Sequence, residues 1–463
     1  MMNRNKTFHL FGAIIATGIL SFSGVLIETA MNVTFPLLIQ EFEVTTSEIQ
    51  WVTTIYLLMI SVIVPISSYL NQNFSARKLF ITANLFFLLG VLINCLSSTF
   101  FLLLLGRLLQ GVGTGIGLPL MFHIILTRVP TEKRGMMMGI GTLTTSIAPA
   151  IGPTYGGLIS NLLEWRYIYI FLIPLIVLSL ILGLNSIPSQ ASKERQPLPL
   201  RCVFFLAITF ISFIMALSAE SGIVFALFLT IGLASSFVFV WFNSKTPLLQ
   251  LSVLKNGKFS LFLLSLLIYQ ALLLGLSFVF PNYLQISAGF SSSIAGIFMF
   301  PGALMGAILA PVSGKLLDRI GAKKPILIGL STTMVGIALL AALLHTNSLV
   351  LLIGAHLVLM TGLGFSYSNL MTCSLNALPT NQISDGNAFV NTFQQFIGAV
   401  ATALVAAVFS FSQKKYGFIP GTASGALIVL LIFFLLLVIS TIAAYSALKK
   451  KKCDEIESAK FDF

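Results

Sequence analysis

From residue 9 onward the chain is a succession of apolar runs about 20 residues long, each bounded by a short polar or basic stretch. A helix rising ~1.5 Å per residue needs about that length to cross a ~30 Å hydrocarbon layer. The runs are continuous, whereas barrel strands alternate apolar and polar positions over about ten residues. Spans are placed near 9–36, 49–70, 78–97, 100–128, 135–161, 165–187, 200–218, 221–243, 259–282, 290–312, 325–344, 347–378, 387–411 and 422–446. The predicted fold class is an all-α integral membrane protein with 14 transmembrane helices. The first run follows MMNRNK as a signal peptide would, but it is too long for one and reads as an uncleaved span.

Composition sharpens this picture. Of 463 residues, 57% are hydrophobic and 9% charged, with a mean hydropathy of +0.99. Soluble domains carry about a quarter charged residues. A net charge of +12 raises the question of nucleic acid, yet the basic residues stand at the ends of apolar runs, so the bilayer is the expected partner and nucleic acid is not. With the N-terminus inside, 22 Lys and Arg fall on the inner side and three (Arg166, Lys414 and Lys415) on the outer. That asymmetry predicts a multi-pass protein of the cytoplasmic membrane with both termini cytoplasmic and the KKKK run at 449–452 as an inner-face anchor. The four cysteines lie in separate segments without metal-ligand spacing, so no metal or cofactor is expected. No nucleophile–base pair, metal motif or phosphate loop is embedded in the spans, which argues against an enzyme.

The chain also repeats itself. The segment PISSYLNQNFSARK (65–78) aligns without a gap on PVSGKLLDRIGAKK (311–324) at an offset of 246. FPLLIQ (35–40) matches FPNYLQ (280–285) at 245, and the Gly111/Gly113 pair matches Gly362/Gly364 at 251, as Gly135 does Gly386. Duplicated halves are a transporter signature. The repeat predicts an N-terminal six-helix bundle (1–187), a linker carrying two inserted helices (188–258), a pseudo-symmetric second six-helix bundle (259–446) and a cytoplasmic tail (447–463).

Several of these residues resemble a known group. GKLLDRIGAKK resembles the loop motif of the major facilitator superfamily, LLLGRLLQGVGTG (103–115) its fourth-helix motif, and APAIGPTYGG (148–157) its antiporter signature in helix five. LIETAMNVTFP and EWRYIYIFLIP (164–174) are similar to motifs of the fourteen-helix drug:proton antiporter branch, with glutamate at position 28 where that branch has aspartate. The first-half copy of the loop motif departs from the pattern, with Gln72, Asn73 and Ser75 in place of its Asp, Arg and Gly. The resemblance implies a monomer in a bacterial cytoplasmic membrane that works by alternating access driven by the proton gradient, with no cofactor. It makes Gly314, Asp318, Arg319, Gly321 and Lys323 a gating loop, in which Asp318 latches two helices at a helix end. It makes Pro149, Gly152, Pro153, Gly156 and Gly157 a contact between the halves that closes the inner side.

Two charges lie deep in spans. Glu28 is the one deep carboxylate among 14 acidic residues, and Arg107 the one deep basic residue. Counting from the outer helix ends at 1.5 Å per residue places them about 12 and 10 Å deep, close enough in height to interact directly, through water or through a hydroxyl. Ser21, Gly24, Glu28 and Asn32 form a polar stripe suited to a cavity, and Glu28 aligns with Leu273 in the second half. Burial disfavours a charged carboxyl and a neighbouring arginine favours it, so such a group is able to exchange a proton. The expected activity is proton-coupled antiport, in which Glu28, Arg107 and Asn32 couple protons to export of small lipophilic, neutral or monocationic drugs or toxic compounds. A proton-coupled carrier of a specific metabolite or lipid is the alternative. Candidate cavity residues are Tyr56, Tyr269, Gln270, Tyr367, Asn391, Gln394 and Gln395, near Phe389, Phe393 and Phe396. His123 and His356 read as hydrogen-bonded helix residues rather than proton carriers.

Overall fold

In the absence of water a backbone must satisfy its own N–H and C=O groups, and the chain does so as helix almost throughout. The computed structural model describes residues 9–188, 198–219, 221–346, 348–379 and 382–449, without the side chains of Ser68, Leu126, 131–136, 138–140, 142–146 and Asp318. Lys193 and Arg195, Glu220, Cys453 and most of the lysine anchor thus lie outside the described residues.

Fourteen long helices follow one another among the described residues: α1 Leu10–Glu41, α2 Trp51–Asn73, α3 Ala76–Cys95, α4 Phe100–Arg128, α5 Thr131–Leu162, α6 Leu172–Ser186, α7 Leu200–Leu217, α8 Gly222–Lys245, α9 Gly257–Asn282, α10 Ser292–Ile320, α11 Lys323–Leu343, α12 Leu349–Asn376, α13 Ile383–Tyr416 and α14 Phe418–Lys449. Thirteen are long and apolar enough to cross a membrane by the same measure; α5 has the length, at 32 residues, but is rich in glycine, threonine and proline. Side-chain oxygens of Ser75, Thr99, Ser221 and Ser291 cap α3, α4, α8 and α10 by accepting from the third backbone N–H beyond. The helices outrun the apolar windows, because hydrogen bonding continues until a cap or a glycine stops it. Glu41, five residues beyond the predicted 9–36 span, ends α1, and α13 runs to Lys415 and Tyr416 before Gly417 turns at φ 89°.

Packing repeats between α1–α6 and α9–α14. The helix α1 packs on α4, α5 and α6, as α9 packs on α12, α13 and α14; likewise α3 on α4 and α6, as α11 on α12 and α14; and α2 on α4, as α10 on α12. Between the two sets, α2 meets α13, α5 meets α10, and α1 touches α9. The helices α7 and α8 pair with each other, and α7 leans on α2 and α13. There Phe210 stacks on Phe396 with ring centroids 4.0 Å apart.

The cross-set hydrogen bonds gather at the face carrying the α1–α2 connection. Thr154 Oγ1 donates to Gly296 O at 3.1 Å, Ser292 Oγ to Gly157 O at 3.2 Å, Gln285 Nε2 to Val33 O at 2.8 Å and Thr46 Oγ1 to Gln413 Oε1 at 2.8 Å.

Candidate functional site

The site begins at Gly24, one helical turn before Glu28. A Cβ there would come within 2.5 Å of Thr114 Oγ1, so only glycine lets α2 and α4 close on α1. Into this gap Tyr56 of α2 donates its hydroxyl to Gly24 O at 2.8 Å and makes a 2.9 Å contact with Thr114 Oγ1. The Arg107 guanidinium of α4 lies over the Tyr56 ring, 4.3 Å from its centroid. Arg107 is fully buried; its Nε donates to Val52 O at 2.8 Å and one terminal nitrogen to Gln110 Oε1 at 3.0 Å. Its other terminal nitrogen, the amide of Asn94 and the hydroxyl of Tyr169 are buried together, within interaction distance of one another.

Glu28 is 7% exposed, and no hydrogen bond or ion pair holds its carboxyl among the described residues. Arg107 lies within electrostatic reach of it without forming a salt bridge. The two deep charges are thus brought together without being paired: Arg107 is already seated on a carbonyl, an amide and an aromatic face.

The rest of the polar stripe is occupied. Asn32 uses both ends of its amide, Nδ2 donating to Ser277 Oγ of α9 at 2.8 Å and Oδ1 accepting from Thr53 Oγ1 of α2 at 2.6 Å. It ties the two halves together instead of facing open space. The separation of 245 positions between Asn32 and Ser277 equals the offset of the neighbouring FPLLIQ repeat, so equivalent positions of α1 and α9 meet there.

Of the cavity candidates, three converge in the second half. Tyr367 of α12 donates its hydroxyl to Gln270 Oε1 of α9 at 2.6 Å and accepts from Gln394 Nε2 of α13 at 2.7 Å. Tyr367 lies within electrostatic reach of Glu28. The others do not join them. Tyr269 is fully buried and donates to Thr333 Oγ1 of α11 at 3.0 Å. Asn391 bonds back to Asn387 O at 2.9 Å, and Gln395 Oε1 is buried without a partner among the described residues. Tyr56 is enclosed between helices. Phe389 and Phe393 stack at 4.4 Å, whereas Phe396 turns to α7.

Three motif readings change. In the antiporter signature, Gly152 and Gly156 face α1 of the same half, where added Cβ atoms would come within 1.9 Å of Thr29 Oγ1 and 2.2 Å of Ala30 O. Gly157 reaches α10, 2.3 Å from Ser292 O by the same construction. This cross-half contact lies at the α1–α2 face, the one the charge count puts outside, rather than closing the inner side. Second, the gating segment is mostly helix: Gly314 to Ile320 complete α10, and only Gly321 (φ 79°) and Ala322 separate it from Lys323 at the start of α11. Asp318 therefore sits in the last turn of α10, where the helix dipole favours Arg319 instead, and its side chain lies outside the described residues. Third, His356 is fully buried between Phe280 and Phe298 with neither nitrogen hydrogen-bonded among the described residues, contrary to the expected satisfied histidine.

A cluster that the sequence reading missed ties the ends of α1, α3 and α5. Trp165 Nε1 donates to Glu41 Oε2 at 2.6 Å, while Arg166 pairs with Glu41 Oε1 at 2.8 Å and donates to Ser97 O at 2.7 Å.

Comparison with known proteins agrees with the fold. The family described as Major Facilitator Superfamily matches residues 17–402. The chain is similar to the lincomycin resistance protein LmrB of Listeria monocytogenes, 34% identical over 402 residues covering 85% of each chain. It is 29% identical over 421 residues to that of Bacillus subtilis, covering 89% of this chain and 88% of the other. A multidrug resistance protein B homolog of Mycobacterium tuberculosis is 22% identical over 86% of this chain and 77% of its own. Among solved structures, a bacterial homolog of the human lysosomal transporter Spinster, inward-facing and unoccupied, superposes with a TM-score of 0.68 at 15% identity, covering 95% of this chain and 97% of that one. With twelve of its fourteen long helices in two like-packed sets of six among the described residues, the chain belongs to the major facilitator superfamily, a family of membrane transporters, and is a relative of its lincomycin and multidrug resistance proteins.

Proposed function

We propose that the protein is a proton-coupled antiporter that exports lipophilic, neutral or monocationic compounds by alternating access. One observation carries the reading: Glu28 is a buried carboxyl with no hydrogen bond or ion pair among the described residues, beside an arginine already seated elsewhere. A structural carboxylate in hydrocarbon is expected to be paired, because an unpaired buried charge is costly. An unpaired one is open to a proton or a cargo cation, and the two compete for one negative charge. The names of the relatives, lincomycin and multidrug resistance proteins, support drugs as the cargo class.

The charge count supports cytoplasmic termini, and with that orientation the halves are closed on the outer side. The deprotonated carboxyl then accepts cargo from within. Rocking to the outward-open state exposes Glu28 to outside protons, protonation releases the cargo, and the proton returns on the reverse stroke.

The test is proton release from purified protein on adding tetraphenylphosphonium, with proton-driven efflux of the same cation in proteoliposomes. Glu28→Gln, which keeps the shape and loses the titrating group, should abolish both while leaving folding unchanged. Proton-coupled efflux at the parent rate in that variant would refute the proposal.

A further inference from the structure

We infer that Gln270, Tyr367 and Gln394 form a hydroxyl-reading subsite, which makes the preferred cargo a lipophilic amine or neutral compound bearing hydroxyl groups rather than a bare hydrocarbon cation. The inference rests on the export reading above and names its substrate class.

The geometry fixes what the subsite offers. The Tyr367 hydroxyl has one proton, given to Gln270 Oε1 at 2.6 Å, and it accepts from Gln394 Nε2 at 2.7 Å. These two bonds orient the amides oppositely. Gln270 is left with its NH2 free, a donor, and Gln394 with its C=O free, an acceptor. Neither free end hydrogen-bonds to protein among the described residues, and neither is among the walled-in polar atoms that lack a partner. A donor and an acceptor flanking one phenol are satisfied together by groups that both give and take a hydrogen bond, which hydroxyls do and quaternary or phosphonium cations do not.

The surroundings fit a mostly apolar ligand with such a group. Both glutamines are nearly buried, at 8% and 7% exposed, and Gln394 adjoins the stacked Phe389–Phe393 pair. Tyr367 is within electrostatic reach of Glu28, so one molecule is able to set an amine toward α1 and hydroxyls toward α9, α12 and α13. The repeat divides these roles. At the offset of 245 Gln270 corresponds to Val25, and at 251 Tyr367 corresponds to Ile116, whereas Glu28 corresponds to Leu273. The first half carries the charge and the second the neutral polar groups.

The competing explanation is that the three side chains merely tie their helices together. Affinities of the purified protein for lincomycin, a hydroxyl-rich amine, and for tetraphenylphosphonium, which has no hydrogen-bonding group, separate the two. Tyr367→Phe removes the hydroxyl that orients both amides, and Gln394→Leu and Gln270→Leu remove one free end each. Each variant should weaken lincomycin binding roughly tenfold, the scale of one or two hydrogen bonds lost, and change tetraphenylphosphonium binding less than about twofold. Equal losses for both probes, unchanged lincomycin binding, or a parent protein that does not bind lincomycin would each overturn the inference. Proton release on adding tetraphenylphosphonium, and its dependence on Glu28, reports separately on the antiport reading.

Discussion

A single methyl group at Gly157 should shift the protein away from the conformation described above. An alanine Cβ at that position would stand 2.3 Å from Ser292 O and 3.1 Å from Gly296 Cα, where ordinary contacts begin near 3.4 Å. The first neighbour is backbone in the facing half, so no side-chain rotation relieves it, and α5 and α10 must separate by about an ångström. Overpacking of this kind costs roughly 1–3 kcal/mol. At ~1.4 kcal/mol per factor of ten, the equilibrium should move about 5- to 150-fold away from closure at this face. Gly156→Ala is the internal control. Its Cβ would meet Ala30 O at 2.2 Å, an equally severe clash within one half, so it should lower thermal stability in detergent without favouring an opening between halves.

Pulsed electron paramagnetic resonance between spin labels at Leu162 and Ile297, both exposed, reads the separation of α5 and α10. Gly157→Ala should move the distance distribution to longer values, as should Gly296→Ala, whose Cβ would meet Pro153 O at 2.3 Å. The double variant should cost less than the sum of the two, because the first separation makes room for the second methyl. An unchanged distribution in folded Gly157→Ala, or identical behaviour of the Gly156 and Gly157 variants, would refute the assignment of this glycine to the closed contact between halves.

Two further outcomes follow from the same contacts. Asn32→Leu removes the 2.8 Å hydrogen bond to Ser277 across the halves, besides the 2.6 Å bond from Thr53 within the first half, and should destabilise closure at the same face by about 0.5–1.5 kcal/mol, read by the same labels. A double-mutant cycle with Ser277→Ala should give a coupling of at least ~0.5 kcal/mol, and additivity would show that the bond is not made. Phe210→Ala loses the 4.0 Å stack on Phe396 and should lower stability in detergent by about 1 kcal/mol rather than the several seen in water-soluble cores, since lipid replaces the lost contact. A larger loss, with release of α7 and α8 to protease, would mean that this stack alone anchors the insert.

How much of this the sequence displays depends on whether a residue's role is set by depth or by azimuth. Depth is legible: apolar run length locates the helices, and Glu28 and Arg107 stand out because no other charge lies so far from a run's end. Azimuth is not. The partners of Arg107 (the Val52 carbonyl, Gln110 and the Tyr56 ring) are neutral groups on two helices, and nothing in their spacing points to it. Gln270, Tyr367 and Gln394 have residue types that suggest a cavity, yet their union across three helices follows from helix rotation alone, which also sends adjacent Tyr269 toward α11. Helix ends are misread for a simpler reason: polarity ends an apolar window, but only a cap or a glycine ends a helix, so Glu41 and Asp318 are helical.

One contact follows from the repeat itself. When a chain is duplicated and its halves face each other across a pseudo-two-fold axis, residues on that axis meet their own equivalents, so their separation must equal the repeat offset. Asn32 and Ser277 obey this rule at 245. Equivalence of position fixes where they meet but not what they are, and the divergence of the pair into amide and hydroxyl is what makes it a hydrogen bond. The same divergence a turn away leaves a carboxyl at Glu28 facing no charged equivalent, since Leu273 holds the matching place. Symmetry therefore accounts for the contacts near the axis, and the departures from symmetry mark the positions at which chemistry is proposed. A substitution that restores symmetry at Leu273 would give the second half a carboxyl with no Arg107 beside it, so it would not reproduce the setting of Glu28.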